Sequence, residues 1–329
     1  MNIILNNHAE ILDSSEKQYD VSVCIITYNQ QQYIKDAVES ILFQKTKCKY
    51  EIVIGDDAST DETTNILENY WENAKNTFCI IKNKKNLGLS TNMFNTMAKA
   101  KGKYIIILYG DDYWTDTQKM QIQFEYLEKN IDMLAITAPI DFIYNGENKS
   151  FKNSTPKFLW NKQISLNQYL NGYDFPMAGV MFRNNVFNSK IKHFELMVKS
   201  SSYIDDASFC ILLLMCGNVF IYPKTMSAYR CFKKNSRAGN FNSINPIEMR
   251  CKKHIILYNN LFKLVGGTIN LNMRYGFILT SAFRSMLYRE ISISDFRNLV
   301  NEMDAKHRKI WCQCLLQGLV RKIELRIRK

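Results

Sequence analysis

Residues that interrupt a chain are scarce in this sequence. Its 329 residues include only 5 prolines and 13 glycines, and no Gly/Ser-rich stretch divides it. A flexible linker between independent modules is therefore not signalled, and the lack of any motif at a fixed period excludes a solenoid or propeller. Histidine is scarcer still: His8, His193, His254 and His307 show no zinc-ligand spacing with one another or with the cysteines. The nine cysteines are an odd number and contain no CxxC pair, and Cys24 and Cys210 sit inside apolar runs, where a free thiol behaves as a small hydrophobe. That usage fits a reducing compartment. The longest apolar run, Cys210 to Cys216, falls far short of the ~20 residues needed to cross a bilayer, and no basic segment followed by an apolar one opens the chain. We therefore expect a cytoplasmic protein without signal peptide or membrane span. Two phosphate-binding signatures are missing as well. There is no GxGxxG after the first apolar run and no GxxxxGK[ST], which excludes the dinucleotide-binding and P-loop classes at their most diagnostic feature.

What is present is a large apolar fraction, 46%, sufficient for a substantial core. The net charge of +12 is unevenly placed. Residues 1–112 hold 12 Lys/Arg against 15 Asp/Glu, whereas residues 113–329 hold 31 against 16. A slightly acidic first part joined to a basic remainder fits a catalytic domain with an electrostatic anchor better than a nucleic-acid binder.

Short apolar runs rich in β-branched residues occupy 21–27 (VSVCIIT), 51–55 (EIVIG), 78–81 (FCII) and 104–108 (YIIIL), as expected of strands buried on both faces of a sheet. Helical spacing separates them. Ile34, Val38, Ile41 and Leu42 fall on one face, and Ser59 with Glu62 reads as a capping box for a second helix. Another helix is expected from about 117, a strand at 133–138, and mostly helix from about 248. The alternation predicts an α/β fold, a doubly wound and mostly parallel sheet with a helical C-terminal region. Such sheets bind ligands at the carboxyl ends of their strands.

Those ends carry polar groups: Tyr28 and Asn29, Asp56 and Asp57, Asn86 and Gly88, and Asp111 and Asp112. Adjacent carboxylates at an apolar strand end repel unless they are solvated or bridged, and hard divalent cations combine one or two carboxylates with substrate phosphates. A polar turn capping the next helix is the plainer account of Asp111 and Asp112. Asp56 and Asp57 could accept from a nucleobase N–H or a ribose hydroxyl, or cap a helix with Ser59, Thr60 and Asp61. Tyr28 could stack on a base or simply pack.

VSVCIITYNQ, EIVIGDDASTD, NLGLSTN and YIIILYGDDYWTD, in that order, resemble the family 2 glycosyltransferases of the GT-A fold, especially bacterial surface-polysaccharide members with a GDDYW signature. The resemblance covers residues 20–130 well and extends more thinly to about 235. It implies a GT-A-like domain over 1–235, with a nucleotide-binding half at about 20–115 and an acceptor half at about 116–235, followed by a helical region over 236–329. It also implies roles. Ile26, Thr27, Tyr28, Asn29, Asp56, Asp57, Asn86, Gly88, Asn92 and Asp111 would line the nucleotide-sugar site, and Asp112 with Asp111 would hold Mg²⁺ or Mn²⁺. In YIDDASFCILLLMCG, an acidic stretch opening an amphipathic helix, Asp206 matches the general base and Asp205 its acidic neighbour. The plainer account of both is a pair of acids favoured by a helix N-terminus.

Three positions depart from the family pattern: Ile26 stands where Pro is common, Tyr109 replaces an acid before GDD, and Phe232 replaces a His after Tyr229 and Arg230. From Lys306 onward basic residues interleave with Ile310, Leu316, Leu319, Val320, Ile323 and Ile327, which reads either as a helix for an anionic membrane surface or as a solvated closing face. The expected activity is inverting transfer from an NDP-sugar, a UDP-sugar by preference, to a glycan or lipid-linked hydroxyl in surface polysaccharide biosynthesis. The alternative is a non-catalytic sugar-nucleotide-binding or scaffold protein of an assembly complex.

Overall fold

The computed structural model describes residues 9–13, 18–73, 77–144, 150–153, 155–200, 206–231 and 247–327. The four apolar runs are strands β2 (Tyr19–Thr27), β3 (Tyr50–Asp56), β4 (Phe78–Asn83) and β5 (Gly102–Tyr109). They pair in parallel, β3 with β2 and β4, and β5 with the other side of β2. Helices α1 (Ile34–Leu42), α2 (Thr63–Asn73) and α3 (Leu89–Met97) make the crossovers. The chain winds outward from β2 through β4 and returns to place β5 on the opposite side of β2, so the switch point lies between β2 and β5.

Alternation along these strands divides two cores. Val23, Ile25, Ile52, Ile54, Ile80, Ile106 and Leu108 face α1, α2 and α4 (Lys119–Lys129), whereas Cys24, Ile26, Val53, Cys79, Ile105 and Ile107 face the opposite way. That second face meets α3, α6 (Asn184–Ser200) and α7 (Asp206–Leu214), and beyond them the C-terminal helices α8 (Ile247–Leu264), α9 (Asn272–Leu287) and α10 (Ile293–Glu302). Helix α5 is the short Leu166–Leu170, and α11 (Ala305–Lys309) and α12 (Trp311–Ile327) close the described chain. The doubly wound, mostly parallel sheet and the helical end expected from the sequence are both present.

Several elements lie outside that expectation. Strand β1 (Ala9–Asp13) adds an antiparallel edge beside β4. On the other side β11 (Met181–Arg183) runs antiparallel between β5 and β7 (Ala135–Thr137), the strand expected at 133–138, and β12 (Val219–Ile221) and β10 (Lys162–Ile164) follow. A second sheet joins β6 (Tyr113–Trp114), β13 (Ser227–Cys231), β8 (Ile140–Tyr144) and β9 (Ser150–Asn153) in that order. Lys119 straps the two regions together, its buried Nζ donating to Gln123 Oε1 at 3.0 Å and to the Gly179 carbonyl at 2.8 Å. Burial pushes its pKa down to about 7.

Three local expectations are corrected. Helix α2 opens at Thr63 with Asp61 accepting from the Thr63 N–H, so Ser59 and Glu62 form no capping box; the Ser59 hydroxyl turns back to Asp56. Helix α7 is buried along Ser208 to Leu214 on every face rather than amphipathic. In α12 the cations do not share one outer face: Arg321 is buried against Tyr173 and donates to the Asn171 carbonyl and Glu324, and Lys322 donates to Ser281. The side chain of Arg326, and Arg328 and Lys329, lie outside the described residues.

Helices α9 and α12 meet backbone to backbone at Gly276 and Gly318. A Cβ on Gly276 would run into the Cys314 carbonyl and lie 3.0 Å from the Gly318 nitrogen, and one on Gly318 would strike the Gly276 carbonyl. Neither obstacle is a flexible side-chain end, so the helices would have to separate. Gly276→Ala or Gly318→Ala should each cost about 1–3 kcal/mol in urea unfolding despite the better helix propensity of alanine. Unchanged midpoints would mean that the helices do not approach this closely.

Candidate active site

The carboxyl ends of β2, β3 and β5 meet on one edge, and the approach there is tight. The Gly110 N–H donates to the Ile26 carbonyl at 3.0 Å, and any Cβ on Gly110 would collide with Gln30 and Thr27. A larger residue would have to displace the Gln30 side chain and press on Thr27 as the turn after β5 folds against the end of β2. Thr27 is buried and donates to Gln30, Tyr28 is half-buried, and Asn29 adopts a left-handed φ of 51°. Asn29 is stitched to the next loop, its N–H donating to Ser59 Oγ at 2.9 Å and its Oδ1 accepting from the Thr60 N–H at 2.8 Å.

The first acidic pair is engaged internally. Asp56 accepts from the Ser59 N–H at 3.1 Å, the Ser59 hydroxyl at 2.5 Å and the Thr64 hydroxyl at 2.5 Å. Asp57, fully buried, accepts from Asn83 Nδ2 at 3.0 Å and from the N–H groups of Leu87 and Gly88 at 2.8 and 2.9 Å. It holds the loop in which Asn86 Oδ1 also accepts from Gly88, whose φ of +85° suits glycine. Asn92 is buried as well, donating to the Gly55 carbonyl and accepting from Asn83. The structure thus joins Asp57, Asn86, Gly88 and Asn92 in one network, while Asp56 serves the β3–α2 turn.

The second pair is different. Asp112 is 2% accessible, whereas Asp111 is half-buried. Asp112 Oδ1 accepts from the Arg230 N–H at 3.1 Å, but its buried Oδ2 has no hydrogen-bond partner. Burial and the neighbouring Asp111 charge push the Asp112 pKa well up, with Asp206 adding to the rise and Arg230 opposing it. The Arg230 guanidinium donates to the Asp111 carbonyl at 2.9 Å, pairs with Asp36 of α1, and lies over the rings of Tyr113 at 4.4 Å and Tyr33 at 5.2 Å. An orphaned carboxylate oxygen beside a second acid fits a divalent cation. Among the described residues no three His, Cys, Asp or Glu side chains form a complete metal cluster, so phosphate oxygens of a donor would have to finish the coordination.

Asp206, at the first position of α7, comes to the same edge. Tyr109, the last residue of β5, donates its hydroxyl to Asp206 Oδ1 at 3.0 Å. Asp205 and Phe232 lie outside the described residues. Sequence reasoning missed Asp36, Tyr33, Tyr113 and Arg230 as parts of this edge. The 194 residues between Asp36 and Arg230 explain why: no local pattern carries the pairing, although Arg230 beside Tyr229 on an apolar strand was a visible cation.

Comparisons with known proteins address the family and the fold. The model of "Glycosyl transferase family 2" matches residues 22–189, about half of the chain. The putative teichuronic acid biosynthesis glycosyltransferase TuaG of Bacillus subtilis is 34% identical over 107 residues, covering 32% of this chain and 41% of TuaG. The chain spans 58% of the length of curated mycobacterial relatives that it matches at 28% identity. Two solved structures share the fold at low identity. S. aureus TarS 1–349 in complex with UDP-GlcNAc aligns with TM-score 0.61 and 13% identity over 92% of this chain and 89% of that one. The mannosyltransferase PcManGT of Pyrobaculum calidifontis, in complex with GDP-Man and Mn²⁺, aligns with TM-score 0.52 and 13% identity over 95% and 88%. With the acidic strand exits gathered at the switch point and the family model running through them, this chain belongs to glycosyl transferase family 2.

Proposed function

We propose that the protein is an inverting, metal-dependent glycosyltransferase that moves a sugar from an NDP-sugar, preferentially a UDP-sugar, to a hydroxyl of a glycan or lipid-linked acceptor in surface polysaccharide biosynthesis. The observation that carries this reading is the buried Asp112 carboxylate, with one oxygen lacking a partner, at a switch point that Asp206 also reaches. The GDDYW motif supports the surface-polysaccharide class, and the fold neighbours bound to UDP-GlcNAc or to GDP-Man and Mn²⁺ support a nucleotide-sugar donor and a divalent ion. Residues 1–235 form the transferase unit in this reading, and 236–329 its helical support.

Asp112 and Asp111 would hold Mg²⁺ or Mn²⁺, which neutralises charge on a departing nucleoside diphosphate. Thr27, Tyr28 and Asn29 lie at the β2 exit beside the loop that Asp57 fixes through Leu87 and Gly88, and these backbone positions cradle the nucleoside. Asp206 takes the proton of the acceptor hydroxyl while that oxygen bonds to the anomeric carbon. The bond from that carbon to the diphosphate oxygen breaks on the opposite face, and its electron pair leaves with the nucleotide.

Near the membrane that would carry a lipid-linked acceptor, α12 offers Leu316, Val320, Ile323 and Ile327, all exposed at helical spacing, and Lys306, Arg308 and Lys309 are exposed just upstream. We assign this surface to contact with anionic lipid. Replacing Leu316 and Ile323 together by Glu should lower binding to phosphatidylglycerol vesicles at least several-fold and leave nucleotide binding intact. Unchanged vesicle binding would remove the membrane from this reading.

A thermal-shift series with UDP, GDP, UDP-sugars and GDP-mannose, with and without Mn²⁺, tests the function. A ligand that binds the native state raises stability by RT ln(1 + [L]/Kd), so one base should stand out. Asp112→Ala should keep the fold and lose the Mn²⁺-dependent part of the shift. If no nucleotide shifts the wild type, the chain is a scaffold rather than a catalyst. Asp206→Asn keeps shape and helix-capping capacity but cannot accept the proton; it should bind donor normally and lose about two orders of magnitude in transfer rate. Normal transfer in that variant would dismiss Asp206 as the base.

A further inference from the structure

The site as described leaves one residue without a task. Tyr109 stands directly before Gly110, Asp111 and Asp112 at the end of β5, and Asp206 begins α7, 97 residues later. Tyr109 is half-buried, with its ring packed partly against the core under the sheet, whereas Asp206 is exposed. An exposed carboxylate at a helix start samples several rotamers, and a base that must meet one hydroxyl is slowed by that freedom. The 3.0 Å hydrogen bond from the Tyr109 hydroxyl to Asp206 Oδ1 removes it.

We propose that Tyr109 is a positioning residue that ties the orientation of the Asp206 carboxylate to the strand exit carrying Asp111 and Asp112. The inference rests on the reading of Asp206 as base. Its physical content is a rigid link between the two halves of the reaction: the residue holding the base is three positions from the acid that would hold the metal, on the same strand exit. The turn between them is itself fixed, since Asp112 N–H donates to the Tyr109 carbonyl at 2.9 Å and Gly110 N–H to Ile26. A phenol suits the role because it is neutral. A carboxylate at position 109 would face Asp206 as a like charge, whereas Tyr109 offers a donor. An ordinary phenol keeps its proton at neutral pH, so the donor is present where the base must be charged. Of the other titratable groups, Asp112, Tyr229 and Cys210 lie close enough to feel the Asp206 charge.

Tyr109→Phe keeps the ring and its packing and removes only the hydroxyl. Nucleotide release from UDP-N-acetylglucosamine and from GDP-mannose, with Mn²⁺, should fall about 10- to 100-fold in kcat with donor KM unchanged. The loss should vanish in the Asp206→Asn background, where there is no base left to orient, so that the double variant is no slower than Asp206→Asn alone. A second readout needs no turnover. In ¹³C-aspartate-labelled protein, with the Asp206 carboxyl signal assigned by its disappearance in Asp206→Asn, Tyr109→Phe should move the Asp206 titration to higher pH, since a donor to the carboxylate favours its charged form. An unmoved titration, or losses that multiply in the double variant, would overturn the positioning role. Normal kcat in Tyr109→Phe with a slow Asp206→Asn would overturn it while leaving Asp206 as base. Normal kcat in both would instead bring down the assignment of the base, and the role of Tyr109 with it.

Discussion

A carboxylate buried without full hydrogen bonding is among the costlier things a fold can contain, and Asp112 is held in that condition at the centre of the sheet edge. The surrounding structure can be traced to it. Gly110 lets the turn press against the end of β2, its N–H donating to the Ile26 carbonyl. Strand β13 crosses from the second sheet to bring the Arg230 N–H to Asp112 and its guanidinium to the Asp111 carbonyl. That cation is balanced in turn by Asp36 on α1 and sandwiched by Tyr33 and Tyr113. The small sheet of β6, β13, β8 and β9, whose placement no local pattern announces, has this as its clearest consequence.

The two acidic pairs show how the same residue types come to differ. Asp56 and Asp57 receive three hydrogen bonds each from hydroxyls, an amide and backbone N–H groups, so their charge is met within the fold. They hold loops. Asp112 receives a single hydrogen bond, from a main-chain N–H, and stands beside another acid, so burial and that neighbouring charge lift its pKa. From the sequence the first DD pair read as a nucleoside site or helix cap and the second as a metal site or polar turn. Which one keeps an oxygen without a partner depends on Ser59, Thr64, Asn83 and the amides of the 87–88 loop arriving at the first and not at the second.

The same distinction explains what was legible in the chain. Strands β2 to β5 could be read because both of their faces are buried and every residue must be apolar; the clean division of Ile25 from Ile26, or Ile106 from Ile107, between two cores is the outcome of that demand. Strands β1, β10, β11 and β12 are three to five residues long and take their place from pairing partners far along the chain, so they leave too little local pattern to read, whereas the apolar 133–138 run announced β7. Ser59 with Glu62 had the spacing of a capping box, but the Asp56 carboxylate lies nearer to Ser59 and captures its hydroxyl. In α12 the alternation of cations and apolar residues suggested an outward basic face. Tertiary contacts with Tyr173, Asn171 and Ser281 drew Arg321 and Lys322 inward instead, leaving the apolar stripe outside.

Residues that depart from a family pattern need not weaken a site, and Tyr109 shows why. Judged by position alone, a tyrosine in place of an acid before GDD removes a negative charge from the donor side. Judged in the structure, it sits within reach of Asp206, a partner that the sequence places 97 residues away. A negative group there would add a third like charge to Asp112 and Asp206, at an edge where burial already opposes ionisation of Asp112. A neutral donor lowers that repulsion and restrains Asp206 at once. The tyrosine thus lowers the negative charge at the end of β5 while giving Asp206 a hydrogen-bond donor there.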